Sequence, residues 1–219
     1  MLALAAEEAG ANVCQAARVT SCLPVASRGW QVECASDGQH NRLRASFLVY
    51  ATGRASLAAR WQGNKRIFYD RLVGLVGFFS ASSAGTRNDY QTLVEATENG
   101  WWYSARLPDS RLVAAYMTDA DLLPKGGMPV SEYWQDRLER APNTRSRLSG
   151  CVPETGLRSV AANSYRMNPV TGNSWLVAGD AAIAFDPLSS QGIYRALKSG
   201  LLAARTIENS LLGDLTALK

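Results

Sequence analysis

One histidine and four cysteines in 219 residues leave little material for imidazole or thiol catalysis or for metal binding. His40 lies in the polar stretch DGQHNR, which favours a solvated turn, so triads that need histidine and multi-histidine metal sites are nearly excluded. The cysteines form no CxxC pair, and we interpret them as reduced thiols, most of them packing residues. They are Cys14, Cys22, Cys34 and Cys151. We expect no metal site.

Long hydrophobic runs and a strong excess of one charge are also absent. The longest apolar run, residues 72–81, is far shorter than the roughly 20 residues of a membrane-spanning helix. The N-terminus carries Glu7 and Glu8 where a secretory signal would stay apolar. The net charge is only +4, with no basic run and no aromatic residues interleaved with basic ones. These absences predict a cytoplasmic protein with neither a membrane nor a nucleic-acid partner.

Strand-like runs occupy much of the first two thirds of the sequence. Alternating runs on both sides of Asp37-Gly38 predict a β-hairpin, and the second run ends as a buried strand before Gly53. A glycine at that point lets a backbone or a ligand approach closely. Further runs follow with turn signals such as Asn99-Gly100 and no helices between them, which predicts an antiparallel meander. These runs cover residues 66–80, 90–97, 100–107 and 111–118.

Helical patterns appear at three places. Residues 2–9 predict a short helix that ends at Gly10, and residues 132–148 predict a helix with Ser131 as its N-cap. Residues 156–167 predict one more strand before the last helix. In that last helix, apolar residues recur at i, i+4, i+8, i+11, i+14 and i+18, which predicts one stripe packed in the core. They are Ile193, Leu197, Leu201, Ala204, Ile207 and Leu211.

The candidate site is residues 175–200, WLVAGDAAIAFDPLSSQGIYRALKSG. The pattern predicts a buried strand, a tight turn at Gly179-Asp180, a loop, and a helix whose unpaired N–H groups face whatever the loop encloses. An acid at the carboxyl end of a strand, followed by a helix N-terminus, suits a polar cofactor. From the residues alone, Asp180 is equally an acceptor for a ligand hydroxyl or a structural cap. Pro187 and Gly192 favour the ligand, because a plain connection needs neither.

GDAAIAFDPLSSQGI resembles the second FAD motif of the flavoprotein monooxygenase superfamily, which has the para-hydroxybenzoate hydroxylase fold. The DPLSS part, with Ala184-Phe185 before it, is closer to flavin-dependent halogenases and to flavoproteins that mature quinone cofactors. FLVYATGRAS is similar to the superfamily's strand that ends in an ATG turn beside the cofactor. GWWYSARLP resembles a substrate-domain strand of the halogenase-like branch.

The resemblance implies FAD as the cofactor and a role for each matching position. Asp180, at the Gly179 turn, would accept hydrogen bonds from the ribityl chain, and Gly53 would let the chain pass close to the dinucleotide. Pro187 would lie near the flavin face where oxygen reacts. Backbone N–H groups at the helix start would face the pyrimidine edge of the ring, where the helix dipole stabilises negative charge. These belong to Gln191, Gly192 and Ile193. No residue receives a catalytic role.

Three departures from the family pattern affect the expected function. Ile183 stands where the hydroxylases often carry histidine, and adjacent Trp101-Trp102 with the distant Pro108 does not match the compact WxWxIP motif of tryptophan halogenases. No GxGxxG opens a βαβ unit, which in the family lies N-terminal to everything seen here. We therefore expect a fragment of the full enzyme that, alone, binds FAD weakly or not at all and is prone to aggregate.

The predicted fold class is α/β (α+β), with a partial FAD-binding Rossmann-like domain that lacks its first βαβ unit and an antiparallel substrate domain. Residues 1–60 and 168–219 are predicted to form the first domain, and residues 61–167 the second. The predicted function is an FAD-dependent oxidoreductase of the monooxygenase or halogenase type, acting on a small molecule. Two alternatives stay open: a maturation factor that oxidises a side chain of a partner protein, and a non-catalytic remnant.

The aromatic strand at residues 100–107 has two interpretations. Trp101 and Tyr103 share one face, and Trp102 takes the other. One face could line a pocket for an aromatic substrate, but packing of the antiparallel sheet is the commoner reason for such residues. Arg106 and Arg111 could bind a carboxylate substrate, although solvated arginines at strand ends are commoner.

Overall fold

The computed structural model describes residues 1–25, 29–56, 61–81 and 91–212. Its helices are α1 (Leu2–Glu8), α2 (Val130–Glu139), α3 (Pro142–Leu148) and α4 (Gly192–Leu211). Its strands are β1 (Arg18–Pro24), β2 (Trp30–Ser36), β3 (Gln39–Ala45), β4 (Leu48–Tyr50), β5 (Lys65–Phe68), β6 (Leu72–Ala81), β7 (Leu93–Thr97), β8 (Gly100–Arg106), β9 (Leu112–Asp119), β10 (Cys151–Pro153), β11 (Arg158–Ala161), β12 (Tyr165–Asn168), β13 (Thr171–Gly172), β14 (Trp175–Val177) and β15 (Ile183–Ala184). The start of the predicted strand at Tyr90 lies outside the described residues.

The chain divides into two compact units. The first unit comprises Met1–Lys65, Met167–Ala182 and Arg195–Lys219, and the second comprises Arg66–Arg166 and Ile183–Tyr194. The domain boundaries predicted from the sequence stay a prediction, and the compact units group the loop after Ala182 with the antiparallel strands.

Two small sheets build the first unit. Strands β1, β2 and β3 form an antiparallel sheet in that order. Asp37 and Gly38, between β2 and β3, both have positive φ, which confirms the predicted hairpin. In the other sheet the order is β13, β14 and β4, and β14 runs parallel to β4, with Trp175 opposite Leu48. Tyr50 and Trp175 are buried where this sheet packs against the hairpin sheet.

Helix α4 covers the opposite face of the β13–β14–β4 sheet. Leu176 and Ala178 are buried against Ala203 of the helix, with Ile207 at the edge of this cluster. Buried β14 and the start of α4 agree with the strand and helix predicted over residues 175–200.

The prediction that the apolar stripe of α4 packs in the core is wrong. Of its six members only Ile207 belongs to a core cluster, whereas Leu197, Leu201 and Leu211 are all largely exposed. The helix instead turns small side chains inward, with Ala203 buried and Ser199 and Thr206 half-buried. Periodicity alone predicts that a helix has an apolar face, but the neighbouring residues decide which face is covered.

The second unit is built on an antiparallel sheet with the order β10, β6, β9, β8 and β7, and β11 also pairs with β6. This confirms the predicted antiparallel meander and the α/β class with an antiparallel sheet. Helices α2 and α3 cover one face, where they complete the largest cluster of buried side chains. This cluster contains Leu75, Phe79, Trp102, Leu112, Ala114, Tyr116, Tyr133, Trp134, Leu138, Ala141 and Leu148.

Two elements predicted as continuous are each divided in two. The helix predicted over residues 132–148 stops at Glu139 and restarts at Pro142, because proline lacks the N–H of a helix interior and its ring would clash with the preceding turn. Ser131 lies inside α2 rather than at its N-cap. The strand predicted over residues 156–167 is interrupted because the N–H of Ser164 donates to the carboxylate of Asp70, at 3.0 and 3.1 Å.

Glu95 of β7 caps the N-terminus of α3, which carries no cap from its own segment. Its carboxylate accepts hydrogen bonds from the backbone N–H groups of Asn143, at 3.1 Å, and Thr144, at 2.7 Å. The side chains of the same two residues also donate to it, at 2.9 and 2.7 Å. Burial raises the pKa of Glu95, but these hydrogen bonds outweigh burial and hold the pKa below its ordinary value.

Glu95→Gln is expected to lower the free energy of unfolding at pH 7 by about 1–2 kcal/mol, because a charged acceptor of several hydrogen bonds is replaced by a neutral one. Since the folded pKa is depressed, the carboxylate stabilises the fold above its unfolded pKa of about 4.3 and loses this effect as the pH falls through the folded value. Urea unfolding at several pH values measures this. Glu98→Gln, at an exposed position, is the control. Equal pH dependence in Glu95→Gln and the native chain would contradict the assignment.

Candidate functional site

The turn that follows β14 is hydrogen-bonded to α4. Residues Gly179–Ala181 form one turn of 3₁₀ helix, and Gly179 has φ +61°, a left-handed conformation that favours glycine. The N–H of Gly179 donates to Oγ of Ser199 at 2.8 Å, and that hydroxyl donates to the carbonyl of Ala196 at 2.9 Å. The Gly179 turn is therefore held by the first two turns of the helix within the first unit.

A second turn lies beside the first one. Residues Gly53–Ala55 follow β4 as another 3₁₀ turn, with Gly53 at φ +58°. The buried hydroxyl of Ser56 donates to the carbonyl of Ala181 at 3.3 Å and so joins the two turns. Two predicted residues that are 126 positions apart, Gly53 and Gly179, are thus brought into neighbouring turns.

The carboxylate of Asp180 lies beside these joined turns and is partly exposed to solvent. Its side chain is 41% exposed, and Oδ2 lies 3.9 Å from Nε of Arg54, whose side chain is 29% exposed. An exposed carboxylate on a fixed backbone turn can accept hydrogen bonds from ligand hydroxyls, and the neighbouring guanidinium gives it a charged partner. The sequence reasoning assigned no role to Arg54. Its position directly after Gly53, within the turn, was the available signal.

The remaining predicted residues lie in the second unit. Asp186 accepts a hydrogen bond from the N–H of Leu188 at 2.8 Å, and its own N–H donates to Oγ of Ser164 at 3.1 Å. These bonds hold the 3₁₀ turn Pro187–Ser189, with the proline at its first position. Asp186 therefore closes the turn that carries Pro187 and joins it to Ser164.

The beginning of α4 is open. The helix starts at Gly192, and a Cβ added to this residue would meet no atom within 4 Å. Gln191, Gly192 and Ile193 are all exposed, and the N–H groups of the first helical turn have no carbonyl partner within the helix itself. The flavin contact that the resemblance implies for these three residues stays a prediction. The structure thus places Gly53, Gly179 and Asp180 together in the first unit, and Pro187, Gln191, Gly192 and Ile193 on one segment of the second.

The aromatic strand β8 divides its side chains as predicted. Trp102 is 0% exposed, with ring centroids 4.9 Å from Trp134 and 5.0 Å from Tyr116. Trp101 and Tyr103 lie half-buried on the other face of the sheet, beside a separate small cluster. Trp102 is therefore a core residue, and only Trp101 and Tyr103 are available to contact a ligand.

Arg106 and Arg111 are held by neighbouring groups. Nη1 of Arg106 donates to the carbonyl of Ser110 at 3.2 Å, whereas Arg111 forms ion pairs with Asp109 at 2.6 Å and Glu154 at 3.3 Å. Arg111 is therefore already neutralised by two carboxylates. These contacts favour the interpretation of Arg106 and Arg111 as ordinary arginines at strand ends rather than as residues that bind a substrate carboxylate.

A cavity of about 390 Å³ in the second unit opens beside Trp101. Four carboxylates line it, together with Leu72, Met117 and Thr118; they belong to Asp70, Glu98, Asp119 and Asp186. Asp70 and Asp186 also accept hydrogen bonds from backbone N–H groups, so these two carboxylates stabilise the local fold.

Two absences concern the residues that the structure describes. Among them, no group of three or more His, Cys, Asp or Glu side chains is arranged to hold a metal ion. Within the same ranges, no helix has the length and apolar character needed to cross a membrane.

Comparison with known proteins gives relatives among flavoenzymes. The chain is 28% identical over 186 residues to a putative FAD-dependent oxidoreductase, LodB, of Marinomonas mediterranea, which covers 81% of this chain and 48% of that protein. It is 30% identical over 192 residues to the flavin-dependent halogenase armH1 of Armillaria mellea, covering 78% of this chain and 37% of the halogenase. The chain therefore spans less than half the length of these curated relatives. No protein-family profile matches it.

Solved structures share the fold. The flavin-dependent halogenase CmlS superimposes with a TM-score of 0.76 at 20% identity, over 95% of this chain and 38% of that chain. The peptidyl tryptophan dihydroxylase QhpG, described as essential for tryptophylquinone cofactor biogenesis, superimposes with a TM-score of 0.70 at 27% identity, over 94% and 44%.

Proposed function

We propose that this chain, whose homologues are FAD-dependent oxidoreductases and flavin-dependent halogenases and whose fold is that of FAD-binding halogenases and monooxygenases, holds the ribityl chain and ring of FAD in an enzyme of this class. The observation that carries the proposal is the pair of joined turns, with Asp180 and Arg54 at their open side. The whole enzyme's reaction is likewise a proposal, because the chain spans only part of its relatives.

The donor set fits a flavin. The half-exposed carboxylate of Asp180 suits the hydroxyls of a ribityl chain, and the conformation of Gly53 leaves open space where a side chain would stand. The exposed start of α4, at Gly192, has N–H groups and a positive dipole end that would suit an electron-rich ring edge. Neither feature offers a binding group for the diphosphate of FAD.

Each residue then has a defined task. Asp180 would accept hydrogen bonds from the ribityl hydroxyls, and Arg54 would orient its carboxylate. Pro187 would restrict the loop beside the bound flavin, and the N–H groups of Gln191, Gly192 and Ile193 would bind the polar edge of its ring. When bound, the flavin supplies the redox chemistry, and the protein supplies position and electrostatics. No side chain of this chain is assigned a catalytic step.

The proposed substrate class is a small apolar molecule, and it rests on the open face of the second unit's sheet. Trp101 and Tyr103 offer aromatic surface for a small apolar molecule. A second candidate is oxidation of a side chain on a partner protein, favoured by the exposed Val94 on the neighbouring strand and by the similarity to a peptidyl tryptophan dihydroxylase. A non-catalytic remnant is the third candidate. A cytoplasmic location is part of the same proposal.

Saturation-transfer NMR with riboflavin and with FAD tests the cofactor assignment. Both are expected to bind with millimolar Kd values that agree within about threefold, because the contacts reach the ring and the ribityl chain but not the diphosphate. Asp180→Ala is expected to weaken both about five- to tenfold, the loss of roughly one hydrogen bond at a partly exposed site.

The matched control is Asp121→Ala, which removes an exposed carboxylate of the second unit and should leave both affinities unchanged. Absence of binding by either flavin, or an unaltered affinity in Asp180→Ala, would contradict the assignment. Purification of the chain as a yellow monomeric holoprotein would instead contradict the expectation of weak binding.

A further inference from the structure

A second cavity of the second unit, of about 700 Å³, lies on the helix-covered face of its antiparallel sheet. Residues of β6, of α2 and α3, and of the segment from β10 to β11 line it. The apolar members of the lining include Phe79, Trp134, Leu138, Leu148, Pro153 and Leu157. Sites for small molecules typically have volumes of about 300–1,000 Å³ and mostly apolar linings with a few polar groups. This cavity, which we name the helix-side cavity, has both properties.

The helix-side cavity is separate from the open face proposed for the substrate. Phe79 and Trp134 belong to the core cluster that also contains Trp102, whereas Trp101 and Tyr103 pack beside a different cluster. Successive side chains of a strand point to opposite faces of its sheet, so Trp101 and Trp102 mark the two faces. The sheet itself therefore separates the two places, and an inference about the helix-side cavity does not depend on flavin binding.

Two stacked aromatic rings give the helix-side cavity a rigid wall. The ring centroids of Phe79 and Trp134 are 5.7 Å apart, with 22° between the ring planes. Nε1 of Trp134 donates to the carbonyl of Leu75 at 3.3 Å, so the polar atom of this ring already has a partner. Both rings are largely buried and are fixed by the core. A wall that is already ordered lowers the entropic cost of binding a flat ligand.

The lining favours an uncharged ligand. Among the described residues that line the cavity, only Arg145 carries a permanent charge, and its Nη1 lies 2.7 Å from Oε2 of Glu139. Burial raises the pKa of the Cys151 thiol above its ordinary value, so this group is neutral at pH 7. An ionic ligand would lose hydration here without gaining a free counter-charge.

Polar groups lie on the helical side of the helix-side cavity. Ser131 and Gln135 belong to α2, Ser146 belongs to α3, and Ser149 follows the end of α3. All four residues are exposed, whereas Trp134 and the other core residues of the lining are buried. The hydroxyls therefore border the mouth of the cavity, and its interior is apolar. A ligand with an apolar body and one polar end would match this division.

We propose that the helix-side cavity binds an uncharged aromatic molecule of two or more fused rings that carries a hydroxyl or amide group. The rings contact Phe79, Trp134 and Leu157, and the polar group forms hydrogen bonds with the serine hydroxyls of α2 and α3. Arg145 stays paired with Glu139 and does not select the ligand. The site is a binding site without a chemical step, on the opposite face of the sheet from Trp101.

The test uses 2-naphthol, which is uncharged at pH 7, and 2-naphthoate, which has the same rings and a negative charge. Calorimetric titration of the full 219-residue chain is expected to give a Kd on the order of 100 µM for 2-naphthol. Binding of 2-naphthoate is expected to be about tenfold weaker, because its charge finds no free cation.

Alkylation by iodoacetamide, followed by mass spectrometry of the peptides, locates the bound molecule. Cys151 lines the cavity and is partly exposed, whereas Cys14 is exposed elsewhere on the chain and serves as the internal control. At 2-naphthol concentrations of about ten times the Kd, Cys151 is expected to react about tenfold more slowly. The rate at Cys14 should not change.

Gly156→Leu narrows the cavity that it borders. An added Cβ at Gly156 would meet no atom within 4 Å, so the leucine fits without a backbone shift. It is expected to weaken 2-naphthol binding about tenfold, because it occupies space that the rings need. Gly200→Leu is the matched control, since Gly200 lies in α4 and an added Cβ there also meets no atom within 4 Å. Circular dichroism checks the fold of both variants.

Three results would overturn the proposal. The first is no binding of 2-naphthol by the native chain. The second is binding of 2-naphthoate that is as tight as that of 2-naphthol, which would make the ligand an anion and Arg145 its partner. The third is an unchanged affinity in Gly156→Leu with unchanged alkylation of Cys151, which would place the bound molecule elsewhere. Should Gly156→Leu fail to fold, the alkylation rate of Cys151 decides alone.

Discussion

Trp102→Ala is expected to lower the free energy of unfolding by about 3–5 kcal/mol, enough to unfold most of the second unit. The side chain is fully buried between the sheet and helix α2, in ring contact with Tyr116 and Trp134. Its removal leaves a large cavity that rigid strands on one side and a helix on the other cannot close. Urea unfolding followed by tryptophan fluorescence and circular dichroism measures the loss.

Trp101→Ala, at the neighbouring position of the same strand, is the matched control. Its ring is half-buried on the opposite face, so the expected cost is about 1 kcal/mol. Any effect of this variant on substrate binding would then be separable from folding. Equal destabilisation by the two variants would contradict the division of β8 into a core face and an open face.

Gly100→Ala is expected to cost about 3 kcal/mol, the second largest effect. Gly100 begins β8 directly after the β7–β8 turn, and an added Cβ would overlap the carbonyl oxygen of Met117 and stand 2.9 Å from Oη of Tyr116. The carbonyl belongs to β9, so relief requires the backbone of one strand to move and weakens the pairing of β8 with β9. The midpoint of thermal unfolding reports this change.

Gly126→Ala distinguishes the cost of the close contact with β9 from the cost of the backbone conformation. Gly126 has φ +81°, but an added Cβ would meet no atom within 4 Å. The alanine there carries only the strain of a left-handed conformation, about 1 kcal/mol. If Gly126→Ala destabilised the protein as much as Gly100→Ala, the contact with β9 would not be the cause.

Much of the candidate site could be predicted because its signals are local. The glycine at position 179 and the acid after it mark a turn whatever packs around them, and Gly192 after the proline-containing loop marks the helix start. The partnership of Asp180 with Arg54 was not predictable, because 126 positions separate the two residues and only the pairing of β4 with β14 brings their turns together.

The sequence by itself determined the hairpin turn, the strands of the antiparallel meander, the start of α4 and which residues of β8 share a face. Backbone conformation and side-chain alternation depend on near neighbours, so Asp37-Gly38, Gly192 and the residues of β8 carry that information locally. Only the tertiary structure decided that Trp102 is the core residue, that Glu95 caps a helix 47 positions away, and that α4 exposes its leucines. Burial is a property of what lies opposite a residue, and the spacing of residues along a chain does not contain it.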